Sequence, residues 1–184
     1  MRLTLYLAAA IATLPGTSFA ASMVIGSGFG RMCFEAADSE RANAQTLGIC
    51  DRALSEEALA PDDRVATFVN RGILKARLGD FPGATADYDR ALKLDPTEAE
   101  AYLNKGTLVL KTGQDAGTAR TLFDSALAHG TRRPEIAHYG RAVAQEFSGD
   151  ISAAYSDYRK AAELAPEWEQ PKKELARFSF RKKG

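Results

Sequence analysis

VATFVNRGILKARLGDFPGATADYDRALKLDPTE, residues 65–98, is the stretch whose reading decides the fold. Ala66, Val69, Gly72, Ile73 and Ala76 recur at helical spacing on one face, and Ala84, Tyr88, Ala91 and Leu92 form a second stripe of the same kind. Between the stripes, Leu78-Gly79-Asp80 reads as a stop followed by a start. Glycine suits the left-handed residue that closes a helix, and aspartate accepts hydrogen bonds from the unpaired N–H groups of the next one. Pro82 fits the first turn of that second helix, and Asp95-Pro96 ends it. The stretch is a helix hairpin, and it cannot bury both stripes without a neighbour.

The neighbours are copies of it. Gly72, Gly106 and Gly140 stand 34 residues apart, while Ala84, Ala119 and Ala154, and likewise Tyr88, Phe123 and Tyr158, stand 35 apart. Ala91, Ala126 and Ala161 keep the same period of 35. Upstream, Cys50-Asp51-Arg52-Ala53-Leu54 parallels Tyr88-Asp89-Arg90-Ala91-Leu92, which marks an earlier, divergent copy. The expected organisation is a divergent helical unit at 33–64, three full units at 65–98, 99–132 and 133–167, and a capping helix with a basic tail at 168–184. Small residues let helices approach closely, and the aromatic fills the space between them. The second unit carries one extra residue at its turn, Gly113-Gln114-Asp115, and the third is read with two extra residues before Gly149.

The first residues follow a different logic. Met1-Arg2 precedes an apolar run at 3–14, LTLYLAAAIATL, then Pro15-Gly16 and the small residues Ser18 and Ala20. This is the pattern of a secretory signal peptide at 1–20, cut after Ala20, so the chain is expected to be exported, and periplasmic in a Gram-negative cell. No later apolar run is long enough to span a bilayer. Residues 21–32 read as a flexible leader. Its Gly26-Ser27-Gly28-Phe29-Gly30 lacks the strand–turn–helix context that a dinucleotide loop needs.

Function classes narrow by exclusion. The chain has 184 residues, with 24 basic and 24 acidic side chains, so it lacks the basic excess of a general nucleic-acid binder. The two histidines, His129 and His138, do not sit at metal-ligand spacing on one helix, and no nucleophile, phosphate-loop or zinc motif is present. The expectation is a non-catalytic chain with no cofactor and no metal. Cys33 and Cys50 are the only cysteines, and in an oxidising compartment two such residues pair. A disulfide there ties the N-terminal segment to the next helix; a redox-active pair is the alternative.

The aromatic, Gly, Gly-Asp turn, Ala, aromatic, Ala and Pro of the first full unit (Phe68, Gly72, Gly79-Asp80, Ala84, Tyr88, Ala91 and Pro96) resemble the tetratricopeptide repeat. The resemblance runs over about residues 46–166. It implies an all-α, right-handed solenoid of antiparallel helix hairpins with a C-terminal capping helix. It also implies a concave groove lined by the first helix of each unit. Counting from each glycine places Val69, Ile73, Leu103, Thr107 and Arg141 on that surface, with Val65, Ala99, Arg133 and Ala137 beside them. Asn70, Asn104 and His138, two before each glycine, join the set, and Arg77 and Lys111 lie a turn further on. The implied occupant is a peptide or protein segment whose backbone amides meet Asn70 and Asn104. Asn70-Arg71-Gly72 also resembles part of a clamp for a C-terminal carboxylate, although the next unit offers Glu100 and Asn104 where that clamp uses basic residues. The implied role is a scaffold or adaptor for a protein or peptide outside the cytoplasm; a self-assembling module is the alternative, and homo-oligomerisation stays open.

Overall fold

Short glycine-closed and aspartate-capped turns break the chain into helices that return on themselves. A computed structural model describes residues 19–25, 28–39 and 41–179. The apolar run at 3–14, Gly26-Ser27, Phe180 and the basic tail lie outside the described residues. Among those described there are nine helices: α1 (Phe29–Asp38), α2 (Ala44–Glu56), α3 (Pro61–Arg77), α4 (Phe81–Leu94), α5 (Ala99–Lys111), α6 (Ala116–Ala128), α7 (Pro134–Phe147), α8 (Ile151–Leu164) and α9 (Glu169–Ser179). Each packs on the next in sequence, giving an all-α solenoid of hairpins, and α1 also reaches α3.

The turns work as their residues dictate. Asp80 accepts from the Gly83 N–H at the start of α4, Asp115 from Thr118 at α6, and Asp150 from Ala153 at α8. At the end of α3, Gly79 takes a φ of 84°, and the Asp80 N–H reaches back to the Lys75 carbonyl at 2.9 Å. The Gly149 turn repeats this with φ 83° and Asp150 N–H to Gln145 O at 2.9 Å, so both are Schellman closures. At the N-terminal end, Asn43 and Thr46 form a reciprocal capping box on α2.

Two apolar clusters hold the stack. One gathers Cys33, Cys50, Val69, Ile73, Leu74, Tyr88 and Leu108; the other gathers Leu103, Phe123, Tyr139, Tyr158 and their alanine neighbours. Trp168, Leu175 and Phe178 pack on the second cluster, so α9 covers the last hairpin and runs through Pro171 in its first turn. Cys33 on α1 and Cys50 on α2 have no exposed surface, and their Sγ atoms are bonded at 2.08 Å with Cα atoms 4.9 Å apart.

The third unit keeps a different register from the one its glycine spacing implies. A Cβ added at Gly72 would lie 2.6 Å from the Tyr88 ring, and one at Gly106 would lie 3.1 Å from Phe123, the aromatic of the same hairpin in each case. A Cβ at Gly140 would instead lie 2.3 Å from Phe123, the aromatic of the preceding hairpin. Ion pairs fix the true alignment. Arg71 binds Asp87, one before Tyr88, and Arg141 binds Asp157, one before Tyr158, each across 16 residues. Arg141 is therefore the counterpart of Arg71, Ala142 that of Gly72, and Gly140 that of Asn70. The third hairpin carries no insertion before Gly149. The extra residues lie before it, at the Gln114 turn and in the loop between α6 and α7.

Candidate functional site

The Asn70 and Asn104 side chains are fully buried, one on α3 and the other on α5, yet neither is spent on its own helix. Each amide grips the backbone of one residue from the start of the described chain. Asn104 Oδ1 accepts from the Ala20 N–H at 2.9 Å, and its Nδ2 donates to the Ala20 carbonyl at 2.9 Å. Asn70 treats Ser22 in the same way, at 2.9 and 2.7 Å. An amide side chain has one acceptor and two donors, so each asparagine satisfies both polar groups of a single extended residue. That arrangement suits backbone recognition, because a buried N–H or C=O left unpaired is costly.

Around these two clamps the segment at 20–25 finds further partners. Ser22 Oγ donates to Glu98 Oε1 at 2.8 Å, the Ile25 N–H donates to Asp63 Oδ1 at 2.9 Å, and the Arg132 guanidinium donates to the Ala21 carbonyl. Arg132 is steadied by Glu100, whose carboxylate also receives the Arg132 N–H and the Thr131 hydroxyl, each at 2.8 Å. Burial raises the Glu98 carboxyl above its ordinary value; the Ser22 hydroxyl and Arg132 oppose this, while Glu100 and Asp95 add to it. Beside Phe19 and Ala20 a cavity of about 200 Å³ opens between Ala37, Asp38, Arg77, Arg132 and Arg133. Residues 21–25 thus lie bound along the first helices, and Phe29 to Met32, the end of the leader read over 21–32, form the opening turn of α1.

The other residues singled out in the sequence divide by position. Val69 and Ile73 are fully buried in the cluster on which Phe19 and Ala21 pack, and Leu103 is fully buried in the cluster that contains Ala20. Thr107 is buried and donates to its own helix at Leu103 O, 3.0 Å. Arg77 donates to the Ala37 carbonyl at 2.6 Å, at the edge of the cavity beside Phe19. Lys111 is exposed and lies 5.5 Å from the centre of the Phe81 ring on α4. His138 and Arg141 turn to Asp157 on α8, at 2.8 and 2.7 Å, instead of toward the segment. Burial pushes Asp157 up, but the His138 and Arg141 hydrogen bonds and charges outweigh it and hold the carboxyl at about 2.

Glycine register explains the split. It places Asn70 and Asn104 correctly, but His138 is not their counterpart; Gly140 is, and it has no side chain to offer. Arg71, the residue that resembled part of a carboxylate clamp, is occupied by Asp87 and Asp51. Asp63, Glu98 and Arg132 escaped the sequence reading because they lie eight or more residues before the repeating glycine, and Glu100 was noted there only for its charge. Among the described residues no group of three or more His, Cys, Asp or Glu could hold a metal ion, and no helix is long and apolar enough to cross a membrane.

Stacked helix hairpins with capped turns and an aromatic wedged on glycine define a helical-repeat scaffold. Family models agree on which one: the TPR repeat matches residues 74–113, and the tetratricopeptide repeat matches residues 136–167. The chain carries tetratricopeptide repeats over those residues. It is 38% identical over 74 residues to the FK506-binding protein-like protein of Mus musculus, and 30% identical over 107 residues to Tetratricopeptide repeat protein 16 of Mus musculus. Those stretches cover 40% and 55% of this chain but only 20% and 14% of the two relatives, so the chain spans a fifth or less of the length of either. Among solved structures, a MamA fragment from Desulfovibrio magneticus RS-1 (residue 41 to the end) matches with a TM-score of 0.64 at 23% identity, covering 83% of this chain and 81% of that one. The MamA RS-1 ArsTM double mutant matches at 0.66 and 21% identity, covering 85% and 86%. At these identities the match is one of fold.

Proposed function

We propose that this protein is a non-catalytic scaffold or adaptor that holds an extended protein segment in the groove of its first helices, outside the cytoplasm. The observation that carries the reading is the pair of two-point amide clamps at Asn70 and Asn104, which bind backbone and not a particular side chain. Repeat geometry supplies the spacing: one asparagine per hairpin meets every second residue of an extended chain, which advances about 6.6 Å in two residues. Export rests on the signal-peptide pattern at 1–20 and agrees with a buried Cys33–Cys50 cross-link, which suits an oxidising compartment. Because that cross-link has no exposed sulfur, it supports a structural and not a redox role.

The test is a crosslinking capture of the partner from the cell envelope, followed by titration of that partner against the parent chain and the Asn70→Ala/Asn104→Ala double variant. Affinity should fall at least tenfold while the helical circular dichroism is kept. Equal affinity would move the site to the convex face or to the ends of the solenoid.

A further inference from the structure

The segment that fills the groove is part of this chain, and its burial alternates. Ala20, Ser22 and Val24 are 5%, 4% and 2% exposed, whereas Met23 and Ile25 are 58% and 80% exposed. This is the period of two of an extended strand with one face against the protein. Each inward position has its own reason. Ala20 and Ser22 stand where the asparagine amides bring the backbone close, so a long side chain there would separate the chain from its clamp. Ser22 in addition places its hydroxyl on Glu98. Val24 meets the first turn of α1: a Cβ added at Gly30 would lie 3.2 Å from Val24 Cγ1.

Resting on the groove reading above, we infer that residues 21–25, which remain after a cut following Ala20, are a built-in pseudo-ligand held by Asn70, and that the partner displaces them with an extended segment of the same pattern that also fills the Asn104 clamp, which Ala20 occupies in the uncut chain. The pattern is a small residue, then two positions on a serine or another small residue, then two further on a valine-like residue. The position between serine and valine is free, because Met23 faces outward, whereas Ala21 is half-buried against the cluster of Val69 and Ile73. The occupant is a partner chain recognised by its backbone through Asn104 and Asn70, by size at the inward positions, and by a hydroxyl on Glu98. A groove already closed by its own chain binds a competitor more weakly by the fraction of time it stands open, so release of the segment sets the apparent affinity.

The probe is a labelled, end-blocked peptide of residues 20–25, Ala-Ala-Ser-Met-Val-Ile, titrated against the exported chain beginning at Ala21 and two variants. Ser22→Trp places bulk where there is no room. Ser22→Pro removes the N–H that Asn70 accepts without adding much volume, and it carries the test if the tryptophan variant loses its helical signal. Both variants should bind the peptide at least tenfold more tightly than the parent, and adding Asn70→Ala and Asn104→Ala should abolish the gain. A peptide with tryptophan in place of its serine should bind at least tenfold more weakly. Equal binding by the parent and both variants would overturn the pseudo-ligand. Asparagine-dependent binding that tolerates the tryptophan peptide would overturn the pattern and leave the groove reading standing. If no variant binds any peptide, both fall. A parent dimer that Ser22→Trp dissociates would also overturn the inference, because the segment would then serve a second copy.

Discussion

Glycine is where two aromatic rings touch the neighbouring helix, and the three repeating glycines are not equivalent. Tyr88 lies against Gly72, while Phe123 is wedged between Gly106 in its own hairpin and Gly140 in the next. Both rings are fully buried, with no room to withdraw. Gly140→Ala and Gly72→Ala should each cost about 1–3 kcal/mol by forcing the ring aside, and Gly106→Ala, whose added carbon would stand 3.1 Å from the Phe123 ring and needs a smaller shift, should cost less. Urea unfolding of the three variants gives the order. A second residue-scale expectation concerns Asp157, whose folded carboxyl titrates at about 2, against about 3.9 in an unfolded chain. A depressed carboxylate contributes stability that is present above its unfolded value and is lost as pH falls through the folded one. Asp157→Asn should therefore cost about 2 kcal/mol near pH 7. The difference from the parent should close between about pH 4 and pH 2, as denaturant titrations at a series of pH values would show.

Between helices, the hairpins are joined by a charge pair that repeats with the fold. Asp51, Asp89 and Asp124, each on the second helix of one unit, meet Arg71, Lys105 and Arg141 on the first helix of the next. The aspartates are about half exposed, so each link contributes little, on the order of 0–1 kcal/mol, but the series marks the alignment more faithfully than glycine does. The turns, their caps and the helical faces were legible in the sequence, since turns are written in Gly-Asp and Asp-Pro and a helical period places any residue on a face, but the first full unit begins at Pro61, four residues before the stretch read for it. The third unit was misread because Gly140 falls at the expected interval by accident, two extra residues having accumulated ahead of it. The segment at 20–25 was not legible as a ligand. Its six residues, Ala-Ala-Ser-Met-Val-Ile, are nearly all apolar and give little hydropathy contrast, and they straddle the expected end of a signal peptide. At this scale the Cys33–Cys50 link is the element most open to test. Replacing both with serine should cost about 3 kcal/mol by the loop-closure model. That corresponds to a fall in melting temperature of roughly 6–12 °C for a chain of this size, with the loss of amide protection confined to α1 and α2.

Taken whole, the molecule is a short solenoid whose ends are sealed by different means: a disulfide-linked helix pair at one, and α9 with Trp168 and Phe178 at the other. Stacked repeats depend on their neighbours for a buried face, so both seals are needed for the central hairpins to present Asn70 and Asn104 in fixed register. The central claim is that these two amides hold an extended backbone. It is tested most directly by hydrogen exchange at the Ser22 amide of the full chain, compared with the Asn70→Ala variant. Ser22, though outside any helix, should be protected at least tenfold in the parent and exchange freely in the variant, while the interior amides of α3 stay protected in both. A Ser22 amide that exchanges in the parent as fast as an unstructured one would contradict it.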